Sequence, residues 1–224
     1  MKDCCAIVVA HGIEQEVVDR FVYHFSQSQK RIQVDLKLQH TDDSLIEDGW
    51  FCKTRALNRL LREAIDDYRV IVQTDIDNLF PVGLLDTAFT AVLNHKNIGF
   101  HCCLRHISAD EISGKLYDQY PFDEWKKRKF IFCSGAFNTM SADTWRTTKG
   151  YNESIKGWGV DDSDLFWRSK RLGVKWIIDS NTPLVHIAHP PRGRRNVEAN
   201  TSAMNKYSDA SNWLTGVVVE RQTS

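Results

Sequence analysis

No segment of the 224-residue chain approaches the ~20 consecutive apolar residues needed to cross a bilayer. The formal net charge is zero, so the sequence gives no global electrostatic pull toward nucleic acid or anionic lipid. There is no internal repeat, no low-complexity segment and no Pro/Gly/Ser-rich linker, and one domain spanning residues 1–224 is expected. The six cysteines, Cys4, Cys5, Cys52, Cys102, Cys103 and Cys133, include two adjacent pairs and no CxxC. That spacing makes a poor disulfide framework and argues against structural zinc. Cys4, Cys5, Cys102 and Cys103 lie in apolar runs, where free cysteine behaves as a small hydrophobe. The N-terminus shows no cleavage-like region. A soluble protein in a reducing compartment, the cytoplasm, is the resulting expectation.

Strand and helix signals alternate over the first hundred residues. Residues 4–10 are a continuous apolar run, as for a strand buried on both faces. Residues 14–25 have apolar positions at helical spacing, and residues 31–38 alternate with a period of two. Ala56, Leu57, Leu60, Leu61, Ala64, Ile65 and Tyr68 form one helical stripe. Residues 70–73 read as a short strand, Pro81 as the opening of a helix through Leu93, and residues 97–103 as a further strand. This β-α-β pattern predicts an α/β fold with a mostly parallel sheet. Residues 108–129 show no period and read as a long loop. Residues 130–133 read as a strand, Ser134-Gly135-Ala136 as a tight approach or turn, and Ser141 as a helix N-cap. Residues 150–159 read as a loop, 162–172 as a helix, 174–178 as a strand and 183–195 as loop.

Four features carry chemistry. Asp75-Ile76-Asp77 directly follows an apolar strand, where open α/β sheets bind ligands. Two carboxylates there suit a hard divalent ion that bridges to phosphate, or they are solvated loop acids. In Gly157-Trp158-Gly159-Val160-Asp161-Asp162-Ser163-Asp164, three carboxylates stand at a helix start. Capping explains one or two of them. The flanking glycines permit a loop that offers the Trp158 indole to a sugar, and one Asp is placed to take a proton. His186 and His189, three apart, can complete a carboxylate metal site, or serve a structural role. Arg192, Arg194 and Arg195 can grip phosphate bidentately, or form a solvated basic loop.

In order, these segments resemble the GT-A fold glycosyltransferases, in particular the β-1,4-galactosyltransferase catalytic domain and its bacterial and viral relatives. The resemblance spans roughly residues 4–190. Phe51, Lys53, Arg55, Leu57 and Asn58 look like the family's Phe-x-Arg-x-Lys-x-Leu-Asn segment. Asp75-Ile76-Asp77 with Leu79-Phe80-Pro81 looks like its Asp-Val-Asp metal motif. Residues 132–140, including Gly135, are similar to its Gly-Gly-Val-Ser/Ala segment. Gly150-Tyr151-Asn152-Glu153 precedes the acidic motif as a similar element does there. Residues 157–164 look like Gly-Trp-Gly-Gly-Glu-Asp-Asp-Asp, and His189 falls at the family's metal-binding histidine. The chain departs at Val160, where the family has glycine, and at Asp161, where it has glutamate. Residues 108–129 have no clear counterpart, and the disulfides and anchor of secreted members are absent.

The resemblance implies a single GT-A domain. Residues 1–103 would be its nucleotide-sugar half, 104–190 its acceptor and catalytic half, and 191–224 a basic loop and tail. Asp77 and His189 would bind Mn²⁺ (or Mg²⁺), with His186 as third ligand and Asp75 holding nucleotide or metal. Lys53 would approach the diphosphate, with Arg55 beside it. His11 and Asp43 would border the nucleoside. Trp158 and Asp161 would contact donor or acceptor, and Asp162 would be the general base. The expected reaction moves a hexosyl or pentosyl group from a UDP-sugar to a hydroxyl of a glycan, or of modified DNA held by Arg192 and Arg194. One base with in-line attack implies inversion. The rivals are a sugar-1-phosphate nucleotidyltransferase, whose Gly-rich segment after the first strand is missing at His11-Gly12-Ile13-Glu14, and a carbohydrate- or nucleic-acid-binding module, which leaves Asp162 without a task.

Overall fold

The first strand, β1 (Lys2–Ala10), is buried on both faces because its side chains alternate between two cores. Cys4, Ala6, Val8 and Ala10 enter one cluster, and Cys5 and Ile7 the other. The computed structural model describes residues 1–40, 42–93, 95–130, 135–157, 159–189 and 196–207. After β1 come α1 (Gln15–Ser28), β2 (Val34–His40), the small hairpin β3 (Ile46–Glu47) and β4 (Trp50–Phe51), and α2 (Lys53–Ala64). Then follow β5 (Tyr68–Thr74), β6 (Asn78–Leu79), α3 (Leu84–Leu93) and β7 (Ile98–Ile107). The second half holds α4 (Phe122–Trp125), β8 (Phe137–Ser141), α5 (Ala142–Thr148), α6 (Asp161–Arg171), β9 (Lys175–Ile187) and α7 (Val197–Tyr207).

Seven strands form one sheet in the order β2-β1-β5-β8-β7-β9-β6. β2, β1, β5, β7 and β9 run one way, and β8 and β6 run against them, so the sheet is mostly parallel as expected. Phe21, Phe25, Leu84, Leu85 and Phe89 of α1 and α3 cover one face. Leu57, Leu61, Trp145 and Leu165 of α2, α5 and α6 cover the other. Each large apolar side chain so buried contributes roughly 1.5–3 kcal/mol. Among the described residues no helix is long and apolar enough to cross a membrane.

Several boundaries differ from the sequence reading, each for a local reason. β2 starts at Val34, because the Asp86 carboxylate accepts from the Arg31 and Ile32 amides and keeps them out of the sheet. Tyr68 belongs to β5, where it pairs with Lys2, because α2 ends in a turn closed by the Asp67 amide on the Ala64 carbonyl. α3 begins three residues after Pro81, since Gly83 sits at φ +87°. Of the strand expected at 130–133, residues 131–133 lie outside the described residues, and the strand present nearby is Phe137–Ser141. Ser141 does cap α5, accepting from the Thr144 amide at 3.2 Å.

The loop expected from residue 183 is instead partly strand. β9 pairs with β7 up to Asp179, bulges, and resumes at Leu184 opposite Leu104. The bulge accommodates Pro183, which lacks an N–H for a regular ladder. Residues 108–129 are short turns and α4, not open loop. Ile112, Tyr117, Tyr120 and Trp125 pack with Leu79, Val185 and Ile187 into a third core. Tyr120 is tied to His24 of α1 at 2.9 Å, and the Tyr117 hydroxyl donates to the Phe80 carbonyl.

Candidate active site

β5 ends at Thr74, and the chain turns at once so that β6 can pair with the end of β9. Asn78 lies opposite His186, and the Ile187 amide donates to the Asp77 carbonyl at 2.9 Å. This pairing carries Asp77 to the two histidines. Asp77 Oδ1 is 3.4 Å from His186 Nε2, and Oδ2 is 2.8 Å from His189 Nε2. One ligand atom from each of the three lies within 4.8 Å of the others. Burial would raise the Asp77 pKa, but contact with His186 and His189 outweighs it and holds the carboxyl well below its usual range. Asp77 Oδ1 and His186 Nδ1 are buried and have no hydrogen-bond partner. A carboxylate oxygen and two imidazole nitrogens, converging with an unsatisfied buried acceptor, fit a divalent ion such as Mn²⁺. Asp75 does not join them, since its Oδ1 lies 3.2 Å from Lys53 Nζ.

Lys53, the first residue of α2, organises a second cluster. Its ammonium bridges Asp75 and Asp161, the latter at 3.4 Å. Burial would lower the Lys53 pKa; the carboxylates of Asp75, Asp161 and Asp162 together hold it well above the lysine norm. Asp161 and Asp162 open α6, where the helix dipole favours negative charge. Burial, followed by the Asp161 charge, raises the Asp162 carboxyl well above the carboxylate range. Asp162 Oδ1 is buried without a hydrogen-bond partner. Asp164 is separate: it binds Arg168 one turn along α6 at 2.9 Å.

Gly135 makes the Asp162 position available. A Cβ built on it would lie 1.7 Å from Asp162 Oδ2. The close approach expected of this segment is therefore an approach to the acidic helix start. Gly135→Ala is expected to displace Asp162 and abolish transfer while leaving far-UV circular dichroism unchanged; an active Gly135→Ala enzyme would show that the Asp162 position is not critical. Val160 occupies the position where glycine is found in the resembled family, and it adopts a left-handed backbone at φ +65°. That conformation costs a β-branched residue roughly 1–3 kcal/mol.

His11, just past β1, stacks face to face on Phe51 of β4, with ring centroids 3.7 Å apart and planes 3° apart. Burial lowers the His11 pKa, with nearby Asp43 opposing it. Arg55 points elsewhere and is held by Glu47 at 2.7 Å and Glu153 at 3.7 Å. Trp158, Arg192 and Arg194 lie outside the described residues.

Three further residues escaped sequence reading. His106 pairs with His186 across β7 and β9, with rings 4.9 Å apart. Tyr151 is fully buried near the Lys53 cluster, and its hydroxyl donates to Gln73 at 3.0 Å. Asn200 of α7, 1% exposed, accepts from the Lys156 amide and donates to the Lys156 and Gly159 carbonyls. It thus ties Lys156 to Gly159. The spacing of the Gly150-Tyr151-Asn152-Glu153 element hinted at Tyr151; nothing in the sequence marked Asn200.

A family model described as the N-terminal domain of galactosyltransferase matches residues 124–190, the stretch that carries Asp162, His186 and His189. The catalytic domain of Drosophila beta1,4galactosyltransferase 7, solved with xylobiose, superposes with a TM-score of 0.62 at 16% identity, covering 96% of this chain and 84% of that one. This is the GT-A fold. A mutant of the same Drosophila enzyme, solved with manganese, UDP-Gal and xylobiose, gives a TM-score of 0.53 at 18% identity over 84% of this chain and 71% of that one. GalNAc-T7 with UDP, GalNAc and Mn²⁺ gives 0.62 at 10% identity over 92% of this chain and 48% of that one. No curated protein matches the sequence. The galactosyltransferase match and the GT-A fold mark the chain as a glycosyltransferase.

Proposed function

We propose that this GT-A protein is a single-domain, metal-dependent, inverting transferase that moves a sugar from a UDP-sugar to an acceptor hydroxyl. One observation carries the reading: four distant segments bring Lys53, Asp75, Asp77, Asp161, Asp162, His186 and His189 to the same region around the carboxyl end of β5. Solved neighbours of the same fold hold UDP-Gal with manganese and xylobiose, or UDP with GalNAc and Mn²⁺, which supports the donor and metal classes. The five described cysteines are buried as small hydrophobes, and we take a cytoplasmic setting for the protein.

Asp77, His186 and His189 would hold Mn²⁺, with Mg²⁺ the harder-ligand alternative. Bound there, the ion would supply charge neutralisation for a departing diphosphate. The His11–Phe51 stack offers a flat shelf for the nucleobase, with Asp43 at its rim. Lys53, kept charged by Asp75 and Asp161, adds a positive charge beside the metal ligands. Asp162 takes the proton from the acceptor hydroxyl, and its raised pKa brings it nearer the working pH of a good base. A single base with attack opposite the leaving group inverts the anomeric centre, as in the single-displacement logic of inverting glycosidases. Trp158, between glycines in the sequence, would face the acceptor sugar. A glycan is the favoured acceptor; a modified-DNA acceptor would depend on Arg192 and Arg194.

The test is a thermal-shift screen of UDP-, GDP- and other nucleotide sugars with and without Mn²⁺. A donor at 100 times its Kd should stabilise the native state by about 2.7 kcal/mol. UDP-sugars should act only with Mn²⁺, and His189→Ala should remove the Mn²⁺-dependent part of the shift. Equal stabilisation in a chelator, or no response to any nucleotide sugar, would reject the reading.

A further inference from the structure

β9 carries an open edge far from the catalytic cluster. Lys175 to Asp179 pair with Ile98 to Cys102 of β7 on one side. On the other side β6 reaches only Val185 and His186, so among the described residues no strand flanks 175–179. The Lys175 amide donates to the Asn97 carbonyl of the β7 side at 2.9 Å. Backbone polar groups alternate along a strand, so those of residues 175, 177 and 179 face β7 and those of Trp176 and Ile178 face outward. The edge is also apolar: Ile177 is 42% exposed and Ile178 45%. Protein edges with outward-facing amides and apolar side chains are templates for further strand pairing.

The sequence of this edge, Lys-Trp-Ile-Ile-Asp, is complementary to itself when reversed. An antiparallel pair centred on Ile177 sets Lys175 opposite Asp179 of a second copy, at both ends. It sets Trp176 opposite Ile178, and Ile177 opposite its own equivalent. The hydrogen-bond parity agrees. The outward-facing Trp176 and Ile178 would exchange N–H···O=C bonds in two hydrogen-bonded pairs, and Ile177 would occupy the non-hydrogen-bonded position between them. Opposite charges set directly across strands favour this register, and like charges would oppose it.

We propose that the edge of β9 is a homodimer interface, with a second copy of this chain adding its β9 antiparallel about a two-fold axis at Ile177. A two-fold contact of this kind closes on itself and stops at two copies. The paired segment is short and buries less than a standard interface, so the dimer is a weak, reversible one with a Kd in the range of about 1–100 μM.

Sedimentation velocity of the full chain over a concentration series covering that range tests it. The wild type should shift from monomer to dimer. Lys175→Glu, which faces Asp179 with a like charge twice over, should weaken association about tenfold or more. Combining it with Asp179→Lys should restore the dimer. Asp179 also accepts from the Asn181 and Thr182 amides, so that pair of changes could disturb the bulge. Ile178→Pro is therefore the second probe: it removes an outward N–H, leaves the β7 ladder intact, and should give a monomer with an unchanged thermal midpoint. A wild type that stays monomeric throughout, or a dimer indifferent to both Lys175→Glu and Ile178→Pro, overturns the proposal.

Discussion

Asp162→Asn is expected to lower sugar transfer by about 10²–10⁴-fold, the span typical of a general base, while donor binding persists. Asparagine keeps the size and shape that fit over Gly135 but cannot accept the acceptor's proton. The same change should leave the protein as stable as the wild type or more so. The folded-state pKa of Asp162 is raised by burial and by Asp161, so this group stabilises the fold only when protonated. Its contribution is fully present below the unfolded carboxylate value of about 3.9 and is lost as pH rises through the higher folded value. At neutral pH the substitution removes a charge that the fold opposes. The wild-type rate should also fall as pH drops through the raised Asp162 value, above the ordinary carboxylate range, because only the ionised form is a base. Initial rates across pH, with donor affinity and thermal midpoints for both proteins, check all of this. Unchanged turnover in Asp162→Asn would remove it from the base role.

Lys53→Met should have the largest effect on the fold. Lys53 is 19% exposed at its side chain, and Asp161 is 4% exposed. Removing the cation from a cluster this enclosed leaves Asp75, Asp161 and Asp162 facing one another. Breaking a buried pair in this way costs about 3–5 kcal/mol. The sign with pH follows from Lys53's raised value: its contribution is complete below about 10.4 and is lost only as pH climbs through the folded value. The wild type should therefore keep this stabilisation across the neutral range. Lys53→Met should be least stable near neutrality and recover toward acidic pH as the carboxylates take up protons. Denaturant midpoints at pH 5 and pH 8 give the comparison. Equal loss at both would mean that packing of the lysine stem, not charge, is what the substitution removes.

The parallel part of the sheet was legible because strands buried on both faces are apolar through their centres, as residues 4–10 of β1 and 70–72 of β5 are. β8 was not. Asn138 and Thr139 are buried within it, and Asn138 donates to Gln73 at 3.0 Å, so the run reads as polar although only Ser141 at its end is partly exposed. The bulge hid the end of β9, since Pro183 read as a stop. Asp77, His186 and His189 were legible through spacing and resemblance. Their mutual contact depends on the two-residue strand β6, which no periodicity could reveal. Lys53 was singled out for a diphosphate. Its tie to Asp161 joins helices α2 and α6, which are remote in sequence, and no local pattern encodes that.

β8 has a consequence for how the chain reaches its native state. It comes from the second half of the sequence yet lies between β5 and β7 of the first half, and β7 finds its other neighbour only in β9. A nascent chain released up to residue 107 would hold β5 and β7 with a strand-wide gap between them. Folding should therefore be all-or-none, and slow for a protein of this size because its decisive pairings are remote in sequence. Fragments cut just after β7, near residue 108, should remain unstructured separately and acquire structure only when mixed.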